Sequence, residues 1–198
     1  MATVPPEPDA ALIVVDVQND FCPGGALAVD DGDAVVPVLN EWIQRFVAAR
    51  RPVAYTQDWH PADHCSFKER GGIWPVHCVQ GTSGADFHPD LRVEGAVFRK
   101  AYKSDAEGYS GFDGRLAKDG QVDPEIDLAR WLKDQGVRKV YVGGLATDYC
   151  VRATVLDALR HGFAAAVIKG GSRAVNVEPG DGDKALAEMR AAGADVVD

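Results

Sequence analysis

The chain of 198 residues has no basic block, no long apolar run and no paired-cysteine motif. Lys and Arg number 21 against 30 Asp and Glu, a net charge of −9, which argues against nucleic acid or an anionic membrane as partner. No apolar stretch approaches the roughly 20 residues of a membrane span. The four cysteines, Cys22, Cys65, Cys78 and Cys150, have no CxxC spacing and no dense framework, so reduced thiols are expected rather than disulfides. Met1 to Asp9 is Pro-rich and acidic. It lacks the basic start and apolar core of a signal peptide, making the cytoplasm the default compartment and residues 1–9 an expected flexible N-terminus. Repeats, low-complexity tracts and interior linkers are absent too, so residues 1–198 are expected to form a single domain.

What is present is ordinary for a globular protein, 46% hydrophobic and 26% charged. Ala11–Val15 is a continuous apolar run closed by Asp16, as in a parallel strand buried on both faces. Val36, Leu39, Ile43, Phe46 and Val47 recur at helical spacing within 33–51, and 52–57 is a second strand ending at Asp58. Residues 59–94 show no periodicity but are dense in Gly, Pro, His and Trp, which suggests a functional segment rather than a disordered one. Residues 96–99 form a third strand before Lys100, and 101–122 read as a loop. Asp123-Pro124-Glu125 reads as the start of a helix that runs to Gln135, with Gly136 as its cap. Strands at 137–142, 163–168 and 194–197, with helices at 150–161 and 183–192, complete the pattern. The expected fold is a three-layer α/β/α sandwich around a six-stranded, mostly parallel sheet.

In such sheets, sites form at the carboxyl ends of the strands. Asp16, Asp58 and Lys100 stand there, and Cys150 opens the helix after Val137–Val142 and Gly143–Gly144. A thiol in a first helical turn meets unpaired N–H groups and the positive end of the helix dipole, which favour thiolate and can hold an oxyanion. A buried structural cysteine is the plainer alternative. Asp16, raised by desolvation, suits proton transfer near neutral pH, and Lys100 would balance its charge. A structural Asp16–Lys100 ion pair fits the same residues. Asp58, His60 and His77 offer one carboxylate and two imidazoles, a donor set for Zn, Fe or Mn. Loop histidines bonded to backbone are the alternative.

Five blocks in order carry a family likeness: Val15-Asp16-Val17-Gln18-Asn19-Asp20-Phe21, Asp58-Trp59-His60-Pro61-Ala62-Asp63-His64, Trp74-Pro75-Val76-His77-Cys78-Val79-Gln80-Gly81-Thr82, Val97-Phe98-Arg99-Lys100, and Gly143-Gly144-Leu145-Ala146-Thr147-Asp148-Tyr149-Cys150-Val151. From about Ala11 to Val177 the chain resembles the nicotinamidase (pyrazinamidase) branch of the isochorismatase-like cysteine hydrolases. The resemblance implies a catalytic triad of Asp16, Lys100 and Cys150, and metal ligation by Asp58, His60 and His77. It also implies an oxyanion hole from the N–H groups of Ala146 and Cys150, with a cis peptide before Ala146. Phe21 and Trp74 match aromatics that flank the substrate ring. One divalent metal ion is implied, Zn ahead of Fe or Mn. Some members of the family recruit a further His or Ser from the segment holding His64 and Ser66; the sequence does not decide this, and neither is counted in the ligand set.

The implied reaction is hydrolysis of nicotinamide to nicotinate and ammonia through a cysteine thioester, in NAD salvage, with pyrazinamide cleaved too. The partner would be a small heteroaromatic amide, with no nucleic acid and no membrane, and with a homo-oligomer, most simply a dimer, as the default assembly. Two rivals stand beside this: a hydrolase of the same fold acting on isochorismate, a ureido acid or an N-carbamoyl compound, and a non-catalytic binding protein. One position departs from the family pattern. Ala101 follows the lysine where Gly is frequent, and Lys103 competes with Lys100. Lys100 is preferred because it closes the strand and lies nine residues before Tyr109-Ser110-Gly111-Phe112.

Overall fold

The computed structural model describes residues 6–198. Among the described residues, eight strands join one sheet in the order β5-β4-β3-β2-β1-β6-β7-β8. These are β1 (Ala10–Val15), β2 (Val53–Asp58), β3 (Ala96–Lys100), β4 (Arg115–Lys118), β5 (Gln121–Asp127), β6 (Lys139–Leu145), β7 (Ala164–Arg173) and β8 (Asp195–Val197). The run β3-β2-β1-β6-β7-β8 is parallel, while β4 and β5 pair antiparallel at the β3 edge.

The helices are α1 (Val35–Ala48), α2 (Leu128–Asp134), α3 (Arg152–Arg160) and α4 (Asp181–Ala191). Every residue of β1 is buried, which is why its sequence does not alternate. Its two faces still sort by parity. Ala10, Leu12 and Val14 pack with Leu39, Ile43 and Phe46 of α1, whereas Ala11, Ile13 and Val15 pack with residues of α2, α3 and α4. Each such fully buried Val, Leu or Ile contributes about 1.5–3 kcal/mol over its exposed state.

The expected three layers are therefore present, but the sheet has eight strands rather than six. The additional strands are β4 and β5, where a loop and a helix start were expected. Asp119 and Gly120, at φ 51° and 80°, form a two-residue turn with both central residues left-handed, the geometry that hairpins favour. Pro124 is tolerated in β5 because β5 is an edge strand and needs no outward N–H. The true helix cap is Asp127, whose carboxylate accepts from Arg130 N, so the helix begins at Leu128 and not at Asp123.

Of the N-terminal stretch expected to be flexible, residues 1–5 lie outside the described residues. Beyond them, both carboxylate oxygens of Glu7 lie 2.9 Å from Tyr141 Oη, and the Asp9 carbonyl accepts from Arg138 N. Among the described residues, no helix is long and apolar enough to cross a membrane.

Connections leave β1 toward β2 on one side of the sheet and β6 toward β7 on the other. The crevice between the carboxyl ends of β1 and β6 is thus the switch point of the sheet. Gly144 permits this close pairing. It sits at φ 127°, and a Cβ there would stand 2.0 Å from the Val15 carbonyl oxygen.

Candidate active site

Four side chains meet at this crevice. Asp16 follows β1 at φ 49°, while Asp58 and Lys100 close β2 and β3 and are register partners. Cys150 lies in a π-helical turn, Thr147–Val151, between β6 and α3, and not in the α-helix itself. The expected cis peptide joins Leu145 to Ala146. All four side chains are buried, Asp16 and Lys100 completely.

Lys100 is the hub. Its Nζ stands 3.0 Å from Asp16 Oδ2, 2.5 Å from Asp58 Oδ1 and 3.4 Å from Cys150 Sγ, and donates to the Gly108 carbonyl at 3.0 Å. Lys103 is exposed and lies over the Tyr102 ring, away from this cluster. Thr56 Oγ1 donates to Asp16 Oδ1 at 2.7 Å. Asp16 Oδ2 has the Lys100 ammonium as its partner, and a carboxylate oxygen of Asp16 lies within 4.8 Å of Cys150 Sγ.

The electrostatics follow from burial. Desolvation raises the Asp16 carboxyl to about 6, with Lys100 opposing. Burial would also raise Asp58, but Lys100, then His60, hold it below its usual value. Burial opposes charge on Lys100, and Asp16 and Asp58 outweigh it, so it stays an ammonium. Burial raises the Cys150 thiol well above its ordinary value, and Lys100 does not overcome this. The expected bias toward thiolate is therefore reversed in the resting site: the group is a thiol and needs a base.

Asp58, His60 and His77 form a buried donor group, with one ligand atom from each within 4.8 Å of the others. His60 Nδ1 is 3.1 Å from the His77 carbonyl and His77 Nδ1 is 2.7 Å from the Pro75 carbonyl. Donation to a carbonyl fixes the proton on Nδ1 and turns the Nε2 lone pair outward, as metal-binding imidazoles require. Burial pushes His60 down to about 4 and lowers His77, so both rings are neutral. The donor set fits a borderline divalent ion such as Zn²⁺. His64 uses Nδ1 toward Ser66 Oγ at 2.7 Å and Nε2 toward the Ala106 carbonyl at 3.1 Å, so it supports the segment from beside the donor set.

One cavity, with about 560 Å³ of free space including its open mouth, is lined by Cys150, Ala146, the donor set, Phe21 and Trp74. Phe21 lies 5.5 Å from the His77 ring, and Trp74 Nε1 donates to Tyr109 Oη at 2.9 Å. Every site residue expected from sequence thus belongs to this cavity or to the charged cluster at its base.

Several residues that serve this geometry were not singled out from sequence. Tyr109 and Tyr149 complete the aromatic wall beside Trp74. Asp148 accepts from Val175 N and Asn176 N, tying the cysteine turn to the loop after β7. Gln18 and Asp20 brace the donor segment. The only sequence signal for the last three was membership in the quoted blocks.

Fold and site together define an α/β enzyme with a thiol and a candidate metal centre at the switch point of its sheet. The chain belongs to the isochorismatase domain family, whose model matches residues 10–198. It is 43% identical to a nicotinamidase of Escherichia coli over 94% of this chain and 93% of that protein. It is 42% identical to a nicotinamidase/pyrazinamidase of Mycobacterium tuberculosis over 94% and 97%. A crystal structure of a pyrazinamidase of Pyrococcus horikoshii in complex with zinc superposes with a TM-score of 0.86 at 46% identity, covering 96% of this chain and 99% of that one.

Proposed function

We propose that this chain hydrolyses nicotinamide to nicotinate and ammonia, with pyrazinamide as a second substrate. The carrying observation is that a single cavity joins Cys150, the Asp58–His60–His77 donor group and the aromatic pair Phe21 and Trp74. That combination supports a reading in which Cys150 is the nucleophile, the donor group the anchor and the two aromatics the walls for a flat heteroaromatic amide. The similarity to curated nicotinamidases supports the same reading.

Asp16 takes the thiol proton and Cys150 Sγ attacks the amide carbon. The N–H groups of Ala146 and Cys150 receive the developing oxyanion, and Lys100 balances Asp16 and Asp58 beside it. Asp16 returns its proton to the leaving nitrogen as ammonia departs, which leaves a thioester. Water then attacks with Asp16 again as base, and the proton goes back to the cysteine sulfur as nicotinate leaves. A divalent ion held by Asp58, His60 and His77 would supply a Lewis-acid anchor for the ring nitrogen. Zinc is the first choice, in keeping with the zinc complex of the Pyrococcus protein.

Among the described residues that line the cavity, Asp58 and Glu107 are acidic and none is Lys or Arg. That lining suits a neutral amide better than the carboxylate of isochorismate or of an N-carbamoyl acid. Cytoplasmic NAD salvage, with a homodimer as default assembly, completes the proposal.

The test is ammonia release from nicotinamide by zinc-loaded wild type and Cys150→Ala side by side. The expected result is release by the wild type, with at least about 10³-fold less from the variant and unchanged zinc content. Near-equal rates would remove Cys150 as nucleophile, and no release from either would remove nicotinamide as substrate.

A further inference from the structure

Gln18, in the turn after β1, is fully buried although its side chain is polar. Its amide is spent on the backbone of two other segments. Oε1 accepts from Asp58 N at 2.8 Å, and Nε2 donates to the Asp58 carbonyl at 2.9 Å and to the Ala85 carbonyl at 2.8 Å. The amide therefore grips both polar groups of the Asp58 residue, as a neighbouring strand would. Asn is one carbon too short for that reach, and Glu would bring a charge and lose the donors.

Two residues on, Asp20 holds the donor segment from the other side. Its Oδ2 accepts from Cys78 N at 2.7 Å and its Oδ1 from Ala26 N at 3.1 Å. Cys78 directly follows His77 and sits at φ 46°, a conformation that costs an L-residue about 1–2 kcal/mol. The carbonyl of the same Cys78 accepts from His60 N at 3.0 Å. Gly84 packs on the Asp20 carboxylate, where any Cβ would lie 2.2 Å from Oδ2. One short turn thus fixes Asp58 through Gln18, and His77 and His60 through the residue that Asp20 secures.

We infer that Gln18 and Asp20 are positioning residues for the metal centre: they set how tightly Asp58, His60 and His77 hold a divalent ion, without touching the reacting atoms. The inference rests on that ligand assignment. Supporting shells of this kind change metal affinity by about 10–100-fold when removed.

The experiment titrates metal-free wild type, Gln18→Met and Asp20→Asn with Zn²⁺ against a competing chromophoric chelator. It also follows the cobalt(II) absorption spectrum and the rate at which iodoacetamide alkylates Cys150 in the metal-free proteins. Each variant is expected to bind zinc about 10–100-fold more weakly with an altered cobalt spectrum, while Cys150 alkylation stays within about threefold of wild type. Unchanged zinc affinity in Asp20→Asn, or weaker binding accompanied by a large change in Cys150 alkylation, would overturn the inference. The second result would mean a general loss of structure. Gln18→Met preserves volume but loses three hydrogen bonds. Should it not fold, Asp20→Asn, at a half-buried position, decides alone. Asp58→Ala and His77→Ala serve as controls: zinc affinity retained in these would refute the ligand assignment itself, a failure separate from that of the positioning role.

Discussion

Asp16, Asp58 and Lys100 stand at the ends of three neighbouring strands, whereas His60 and His77 stand on irregular backbone outside the sheet. The first group inherits its spacing from strand register: Asp58 and Lys100 are register partners, and Val15, just before Asp16, pairs with Thr56. The second group has no ladder to inherit from. Its backbone is held by a lone parallel bridge, in which His60 N donates to the Cys78 carbonyl and Gln80 N to the His60 carbonyl, and by side-chain bonds such as that from Cys78 N to Asp20. The same cavity is therefore rigid on one wall by topology and on the other by local hydrogen bonding. Sheet positions hold catalytic geometry more firmly than loop positions do.

Changing the rim should break the first wall most severely. Lys100→Met leaves two buried carboxylates facing each other without their cation. Turnover should fall at least about 10³-fold, and metal-free stability in urea by about 3–5 kcal/mol. A loss of under 1 kcal/mol would mean that Asp16 and Asp58 share a proton at no cost.

Removing metal tests the second wall. Chelation should abolish turnover and lower thermal stability. The stabilisation restored by zinc should reach about 4 kcal/mol at a thousandfold excess over its dissociation constant. Limited proteolysis of the metal-free protein should cut first within 59–94 and spare the strand ends. Cleavage at the strand ends first would invert the contrast.

A smaller effect sharpens the rim. In the proposed mechanism Asp16 is ionised to take the thiol proton, and burial holds it near 6, so kcat/KM should fall as pH drops below about 6. Thr56→Val removes a hydrogen bond that favours the carboxylate and should move this limb upward by about one unit. For stability the sign is opposite. The folded protein keeps the Asp16 proton to higher pH than the unfolded chain, so this group's contribution declines as pH rises from about 4 to about 6. A pH profile unmoved by Thr56→Val would place the acid limb on another group.

The smallest expected effect is at Ala101, which adopts φ 49° beside Lys100. This explains why glycine suits the position, and it shows that the loop keeps the left-handed turn without one. Ala101→Gly should change stability by no more than about 1 kcal/mol, because relief of strain is offset by a freer unfolded chain. Turnover should remain within about twofold of wild type.

The rim was legible in the sequence because apolar runs of a parallel sheet announce their own ends, and Asp16, Asp58 and Lys100 stood at three of them. The donor set was legible mainly through family resemblance, since Asp-x-His with a distant His is a weak pattern alone. Gln18 and Asp20 were not legible as supports: the bonds by which they hold the Asp58, Cys78 and Ala85 backbone join residues 40 to 67 positions apart, and nothing local marks them. The β4–β5 hairpin was missed for a different reason. Asp123-Pro124-Glu125 carries every local mark of a helix start, and only the pairing across Asp119-Gly120 overrides it.

That hairpin also governs what happens outside the enzyme's own sheet. An edge strand offers free donors and acceptors to any passing chain, and β5 is one of the two edges. Pro124 removes one of the donors, and Asp123, Glu125 and Asp127 set a row of negative charge along the same seven residues. The other edge, β8, is only three residues long. Sheet growth is thus discouraged at both ends, by chemistry at one and by brevity at the other. The proline that disguised β5 as a helix also guards a largely apolar sheet against aggregation.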